Sequence, residues 1–367
     1  MKDKSFIPQI QPSITNLERD MVASAIESSW ITENKETKKF EEYFANISNR
    51  TAISYANGTC ALLAIGYILQ CKLGKIRVAV PDLTFIASMS PFLMLNAEIT
   101  LVDIEKESCS FDTRQLDDLI GKINCLVIPV IYGATCDLDL IELFCKKHNI
   151  ILIVDGSQSV GQKSLTGRSI FSYGQYAFAS FYGNKIITSA EGAVIFSNEE
   201  DSIEIYRMKN HGRDEKGIFY HDNFGLNFAF SDIHAAFINA QITRLDDILF
   251  KKKQIYDFYE ENITNKKISI FNKDQKDLSN HWFTSVFVDD SNEFVQYLKE
   301  NMIGSRRSFG RLSDQKMLLL HDYPNRIKMS FPLEGSKLFY DTFVSLPSSF
   351  DLSKNDMEYI VEIINKY

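Results

Sequence analysis

Apolar and polar positions follow two different periods along this chain, and the period changes from segment to segment. Over residues 17–29 and 37–48, apolar residues recur every three or four positions, which predicts amphipathic helices. Short apolar runs such as 76–80 and 150–154 have the length of buried strands, and helical patterns separate them. Strands that alternate with helices predict parallel pairing, helices on both faces of the sheet and right-handed crossovers. The pattern therefore indicates an α/β fold.

The same pattern predicts elements along the rest of the chain and a division into two domains. A polar stretch rich in Lys, Asn and Asp at 263–279 marks the expected boundary. We predict a large domain at residues 1–262, with a mixed, mostly parallel sheet flanked by helices, and a small C-terminal α/β domain at 263–367. Among the elements expected are a mostly helical stretch at 83–96, a helix at 112–121, one long helix at 231–250 with a charged continuation to 262, and a strand at 282–288.

The composition of the chain argues against several classes of function. The net charge is −8 and no long basic run occurs, which argues against nucleic-acid binding. The longest apolar stretch, 83–97, contains Pro91 and is too short to span a membrane. The N-terminus has no signal-peptide pattern, and the six cysteines form no CxxC pair, so we expect a cytoplasmic protein without a metal site.

The first candidate for chemistry is Lys185, which lies on a polar Gly-Asn turn between two short apolar strands. A partly desolvated lysine can lose its proton and attack a carbonyl carbon, as a Schiff-base lysine does. Taken alone, however, a solvated lysine in a hairpin turn is the better explanation. Asp155, thirty positions earlier, directly follows the apolar strand at 150–154. Its position fits a helix cap and a cofactor-facing carboxylate equally well.

Two further features favour a bound cofactor as the explanation of Lys185 and Asp155. Gly58 and Thr59 follow a short strand and begin a helix, which places free backbone N–H groups where a phosphate can bind, although Asn-Gly-Thr is also an ordinary N-cap. Phe85 offers an aromatic ring. A phosphate site, a stacking ring, a carboxylate for a pyridinium nitrogen and an imine-forming lysine together match pyridoxal phosphate. Neither a dinucleotide-binding G-x-G-x-x-G nor a Walker A loop is present.

Several motifs occur in the order found in a known family. The chain resembles the nucleotide-sugar aminotransferases of the DegT/DnrJ/EryC1/StrS group, and within it is most similar to GDP-perosamine synthases. The resemblance implies the aspartate aminotransferase-like fold (fold type I) of pyridoxal-phosphate enzymes. The segments that carry it are SYANGT (54–59), PDLTFIAS (81–88), PVIYG (129–133), DGSQ (155–158), FASFYGNKIITSAEGA (178–193) and NFGLNFAFSDIHAA (223–236).

The resemblance also implies roles for individual residues. Lys185 would bind the cofactor covalently and move protons, and Asp155 would keep the pyridine nitrogen protonated. In the same way, Gln158 would contact the phenolic oxygen, Phe85 would lie against the ring, and Gly58, Thr59 and Ser180 would hold the phosphate. Asn227 would reach the phosphate from a neighbouring subunit, which implies a homodimer with shared active sites, and Glu191 and His211 are assigned to the substrate. His211 by its sequence context alone is better explained as a helix-end residue.

The function implied is transfer of an amino group from L-glutamate to a keto sugar, with pyridoxamine phosphate as the intermediate form of the cofactor. The expected substrate is a nucleotide-linked 4-keto-6-deoxy sugar of the perosamine type, used for surface polysaccharide such as lipopolysaccharide O-antigen. The alternatives are a sugar dehydratase of the same fold, in which a histidine replaces the lysine, and a non-enzymatic binding protein. Three departures from the family pattern leave the sugar and nucleotide open: Gly156-Ser157, Ala229 and the Arg306-Arg307 pair.

Overall fold

A large sheet forms the centre of the fold. The computed structural model describes residues 5–215, 217, 219–330 and 332–367, and within them this sheet has eight strands. In spatial order they are β1 (Thr51–Tyr55), β7 (Ala193–Ser197), β6 (Tyr176–Ser180), β5 (Ile151–Asp155), β4 (Cys125–Pro129), β2 (Arg77–Pro81), β3 (Glu98–Val102) and β11 (Ile327–Met329). All neighbouring pairs run parallel except the two that include β7. The predicted mixed, mostly parallel sheet is confirmed.

Both faces of this sheet are covered by helices. On β4, Leu126 and Ile128 pack into one hydrophobic core, whereas Cys125 and Val127 pack into the other. Because successive residues of a strand point to opposite faces, a strand buried on both sides becomes a continuous apolar run. The first core includes α2 (Lys35–Ser48), α5 (Leu138–His148) and α7 (Asp232–Thr243), and the second includes α3 (Gly58–Leu73), α4 (Ser90–Met94) and α6 (Glu199–Lys209).

Local capping determines where the helices begin. The helix α1 (Asn16–Glu27) starts with a capping box, in which Thr15 and Glu18 bond each other's backbone N–H groups. At α3, the side chain of Asn57 accepts a hydrogen bond of 2.9 Å from the backbone N–H of Cys60. This cap fixes Gly58 as the first residue of α3, directly after β1.

The C-terminal part of the chain forms a second, smaller sheet. Its strands are antiparallel, in the order β10 (Arg306–Arg307), β12 (Phe343–Ser345), β9 (Ser285–Phe287) and β8 (Ser269–Ile270). A third hydrophobic core lies beneath this sheet. The helix α8 (Leu245–Asn262) leads into this part, and the helices within it are α9 (Ser291–Glu300), α10 (Tyr323–Arg326), α11 (Glu334–Thr342) and α12 (Lys354–Lys366).

The two halves share structure across the expected boundary. The helix α8 ends at Asn262, where the division was placed, but β11 comes from the C-terminal half and pairs with β3 of the large sheet. Ile7, near the N-terminus, bridges Ile303 of the C-terminal half. The division into residues 1–262 and 263–367 therefore stays a prediction, and chain segments cross it in both directions.

Three predicted elements differ from the structure. The helix expected at 112–121 is a pair of short 3-10 turns, and the buried Leu116 and Leu119 are spaced three apart, which fits the three-residue period of such turns. The helix expected at 231–250 breaks at Arg244, whose guanidinium bonds the buried Glu18 at 2.6 Å. Only 86–88 and 90–94 are helical within the stretch at 83–96. Within the described residues, no helix has the length and apolar character to cross a membrane.

Candidate active site

A cavity of about 670 Å³ lies at one edge of the large sheet. Its walls include Asp155 and Ser180, the last residues of β5 and β6, and Val130, which follows β4. The beginning of α3 after β1 and the segment after β2 also contribute. Carboxyl ends of parallel strands meet at a single edge of a sheet, which is where ligands bind in α/β folds. Residues far apart in the sequence are brought together in this way.

Most of the site residues predicted from the sequence line this one cavity. The sequence places them on segments separated by more than a hundred positions, so their convergence is a result of the fold. The predicted residues in the cavity wall are Gly58, Thr59, Phe85, Asp155, Gln158, Ser180, Lys185 and Glu191.

Lys185 sits on a tight turn in which its backbone N–H donates to the carbonyl of Tyr182 at 3.0 Å. Its Nζ lies 4.9 Å from the centre of the Trp282 ring. Burial lowers the pKa of Lys185 to about 8, and the negative charge of Asp155 opposes this shift. Desolvation disfavours the ammonium form, so a substantial part of this amine is unprotonated just above neutral pH. A solvated lysine in a hairpin turn, the better explanation from the local sequence alone, does not fit this desolvated environment.

Asp155 is buried and its two carboxylate oxygens are held separately. The hydroxyl of Ser88 donates to Oδ2 at 2.7 Å, and the backbone N–H of Ser157 donates to Oδ1 at 3.0 Å. These two hydrogen bonds fix the position and orientation of the carboxylate. The residue after it, Gly156, has no room for a side chain, since an added Cβ would lie 2.5 Å from the ring of Phe171. This contact explains a glycine at one of the departures from the family pattern.

The beginning of α3 forms a cradle beside Ser180. An added Cβ on Gly58 would lie 3.2 Å from Cβ of Ser180, so the glycine keeps open the space between the helix start and the end of β6. The first N–H groups of a helix have no intrahelical acceptor, and together with the helix dipole they favour an anion. This arrangement could hold the phosphate of a cofactor.

The remaining predicted residues in the wall differ in how firmly they are held. The buried side chain of Gln158 accepts a hydrogen bond of 2.9 Å from the backbone N–H of Tyr132, which orients it. Phe85 is 55% exposed, and its ring lies 5.6 Å from that of Phe309. Glu191 is exposed at the cavity wall.

Two predicted residues, Asn227 and His211, do not line the cavity. Both are exposed, and they lie close to each other because Asn210 bridges Asn227 and the backbone N–H of His211 donates to Leu226 at 3.1 Å. His211 has a left-handed backbone with φ of 59°, just beyond the end of α6. Its assignment to the substrate and the assignment of Asn227 to a neighbouring subunit stay predictions.

The structure also adds residues that sequence reasoning missed. Ser88 contacts Asp155 from a 3-10 turn, and no local pattern distinguishes it from other serines. Arg306, Trp282 and Phe309 enter the cavity wall from the C-terminal half. The Arg306-Arg307 pair was visible in the sequence, but only the fold separates the two. Arg307 is bound by Ser291, Asn292 and Tyr340, whereas Arg306 faces the cavity.

The arrangement of lysine, buried carboxylate, helix start and aromatic rings fits pyridoxal phosphate. The sequence profile of the DegT/DnrJ/EryC1/StrS aminotransferase family matches residues 12–365. The chain belongs to this family. The predicted family, the sugar aminotransferase activity and the pyridoxal-phosphate cofactor are thereby confirmed.

Two relatives match most of the chain. It is 27% identical over 369 residues to a GDP-perosamine synthase of Escherichia coli O157:H7, with 99% of this chain and 98% of the relative covered. It is 31% identical over 267 residues to a GDP-perosamine synthase of Caulobacter vibrioides, with 72% and 71% covered.

Solved structures of other proteins share the fold at low sequence identity. Helicobacter pylori PseC, an aminotransferase of pseudoaminic acid biosynthesis, superimposes with a TM-score of 0.90 at 19% identity, covering 99% of both chains. The E. coli GDP-4-keto-6-deoxy-D-mannose-3-dehydratase gives 0.88 at 15% identity, covering 98% of this chain and 100% of that one. The predicted aspartate aminotransferase-like fold is confirmed. Because an aminotransferase and a dehydratase both match, the fold alone does not distinguish the two reactions.

We expect the capture of cofactor by cofactor-free protein to depend on pH with a midpoint near 8. The amine of Lys185 must be unprotonated to react, and its pKa is lowered to about 8, so the capture rate should rise as the pH rises through that value and level off above it. The measurement is the near-visible absorbance of lysine-bound cofactor after mixing with pyridoxal phosphate at a series of pH values.

Lys185→Ala should abolish that absorbance, while Lys163→Ala, which changes an exposed lysine outside the cavity, should leave it unchanged. A midpoint near 10, the ordinary range for lysine, would contradict the desolvated environment described above.

We expect Ser88→Ala to weaken cofactor binding about tenfold, because a hydrogen bond to a charged group contributes roughly 1.5 kcal/mol. The change removes a donor from Asp155 and leaves the carboxylate less firmly placed. The measurement is a fluorescence or absorbance titration of cofactor-free protein. Ser90→Ala, two residues away and outside the cavity wall, is the matched control. Unchanged affinity with a lower melting temperature would assign Ser88 to folding alone.

Proposed function

We propose that this protein transfers an amino group from L-glutamate to a nucleotide-linked 4-keto-6-deoxy sugar of the perosamine type. The observation that carries the proposal is the shared cavity of Lys185, whose pKa is lowered, and the buried carboxylate of Asp155. Relatives named GDP-perosamine synthase, at 27–31% identity, support this substrate class. A cytoplasmic location and a role in surface polysaccharide, including O-antigen, belong to the same proposal.

The residues of the cavity would divide the work as follows. Gly58, Thr59 and Ser180 would bind the cofactor phosphate, and Asp155 would keep the ring nitrogen protonated. When bound, pyridoxal phosphate supplies the electron sink that stabilises negative charge on a substrate carbon. Lys185 would give and take the proton at that carbon, for which an amine with a pKa of about 8 is well matched near neutral pH.

Arg306 provides a positive charge in the cavity wall that would bind an anionic substrate. Its neighbour Arg307 is committed to structural contacts, whereas Arg306 lines the cavity at the edge of the small sheet. Successive residues of a strand point to opposite sides, which accounts for the difference. A guanidinium there matches a carboxylate, as in glutamate, or a diphosphate, as in a nucleotide sugar. Glu191, two residues before β7 in the cavity wall, would contact sugar hydroxyls.

We also propose a homodimer with shared active sites. Asn227 lies outside the cavity of its own chain, on a segment that exposes large apolar side chains. An exposed apolar patch of this kind is typical of a surface that a second subunit covers. The exposed apolar residues of this segment are Phe219, Tyr220, Phe224 and Leu226.

The test of the reaction uses purified protein with pyridoxal phosphate, glutamate labelled at its nitrogen, and a panel of nucleotide-linked keto sugars. We expect the label in the sugar product by mass spectrometry, and we expect Lys185→Ala to lower the rate by about a thousandfold or more. Arg306→Gln should raise KM for whichever anionic substrate it binds, with Lys163→Ala as the control for both variants.

The alternatives give different results in the same assay. A dehydratase would release a sugar that has lost a hydroxyl and carries no label, and the lysine at position 185 argues against that outcome. A non-enzymatic binding protein would give no product and no near-visible absorbance with the cofactor. Either result would contradict the proposed reaction.

For the dimer, we expect sedimentation velocity to show a species of twice the chain mass. Asn227→Ala should then weaken cofactor binding about tenfold, because a hydrogen bond to the charged phosphate is lost. Asn46→Ala, an exposed asparagine on α2, is the matched control. A monomer with full aminotransferase activity would contradict shared active sites.

A further inference from the structure

A second buried lysine lies near the site and has no part in the function described so far. Lys252 of α8 is 3% exposed, and none of the ion pairs among the described residues includes it. Its Nζ donates hydrogen bonds to two backbone carbonyls, those of Trp282, at 3.1 Å, and Ser348. Burial lowers the pKa of Lys252 to about 7. Burying an amine without a carboxylate partner is costly, so the hydrogen bonds to these two carbonyls are what stabilise it here.

Trp282 joins this lysine to the turn that carries Lys185. Its carbonyl accepts from Lys252, and its indole N–H donates to the carbonyl of Asn184 at 2.6 Å. Its ring lies 4.9 Å from Nζ of Lys185. Trp282 is itself buried, so its ring shields the amine from water. The contacts therefore run without interruption from α8 to the residue immediately before Lys185.

A small cavity of about 20 Å³ separates the two lysines, and both line it. It is large enough for roughly one water molecule. The amine of Lys185 thus has a large cavity with Asp155 and Glu191 in its wall, and a small one with Lys252 in its wall. The ring of Trp282, which lies in the wall of the large cavity, covers the amine on that side.

We propose that Lys252 is a positioning residue for Lys185: it fixes Trp282, and Trp282 holds the turn at Asn184 and keeps the Lys185 amine out of water. The proposal rests on the role proposed for Lys185. The proposal explains why an amine is buried here: its hydrogen bonds orient the two backbone carbonyls. It also assigns the C-terminal half a task in the site, since Trp282 lies beyond the end of α8.

The test measures Lys185 directly in the full-length, cofactor-free protein. A trace of amine-reactive reagent is applied at a series of pH values, and modification of the Lys185 peptide is quantified by mass spectrometry. The wild-type midpoint should lie near 8. Lys252→Met should raise the midpoint by about one unit, which lowers the modification rate at neutral pH about tenfold. Lys253→Met is the control, since this neighbouring lysine pairs with Asp257 at 2.9 Å and should have no effect.

Trp282→Phe separates positioning from charge. It keeps an aromatic side chain but removes the indole N–H that holds Asn184, together with part of the ring system, so the midpoint should rise again. If Lys252 acts through Trp282, the double variant should shift the midpoint by less than the sum of the single shifts. The direct effect of the Lys252 charge is small at the midpoint, because an amine with a pKa of about 7 is mostly neutral at pH 8.

An unchanged midpoint in folded Lys252→Met would overturn the proposal, and so would shifts that simply add. If Lys252→Met does not fold, an unchanged midpoint in folded Trp282→Phe would overturn it as well. Labelling reports the state of Lys185 without turnover, so absence of amination of a keto sugar would contradict the proposed reaction and leave this result standing.

Discussion

Keeping one lysine amine partly out of water beside a carboxylate is the constraint on which the site depends. Desolvation favours the neutral amine of Lys185, and the charge of Asp155 favours the ammonium. Desolvation prevails, and the pKa falls to about 8. A more exposed lysine would stay protonated, whereas a lysine deeper in the core would be cut off from any substrate. The amine lies between these limits because it borders the open cavity while the ring of Trp282, in the wall of the same cavity, shields it from part of the water.

Residues from both halves of the chain produce this balance between desolvation of the amine and its attraction to the carboxylate. The large sheet supplies Asp155 and the cradle at Gly58, but the walls opposite them come from beyond residue 262. The backbone N–H of Phe309 donates to the hydroxyl of Tyr132 at 3.0 Å, which fastens the C-terminal wall to the segment after β4. The pairing of β11 with β3 joins the halves at a second place. A site of this kind is completed only when both halves have folded and packed.

The family match also bears on specificity. An aminotransferase and a dehydratase share this fold at 19% and 15% identity, so the scaffold leaves the reaction undetermined. We propose that the distinction lies in single side chains, above all the lysine at 185 and the residues that hold it. In general, the reaction that an enzyme catalyses is determined by the residues of its site and not by its fold. Two departures from the family pattern illustrate this difference between fold and site. Gly156 is explained by packing against Phe171, whereas Arg306 faces the cavity.

The sequence by itself determined the alternation of strands and helices, the cap before Gly58, and Asp155 and Lys185 as candidates. These features depend on hydrophobic periods and turn residues, which are local, and parallel strands bring their carboxyl ends together whatever the details of packing. Only the tertiary structure decided that Ser88 bonds Asp155, that Trp282 covers Lys185 and that the helix at 231–250 breaks at Arg244. Each of these is a contact between residues at least 67 positions apart, and a serine, a tryptophan or an arginine carries no local pattern that names its distant partner.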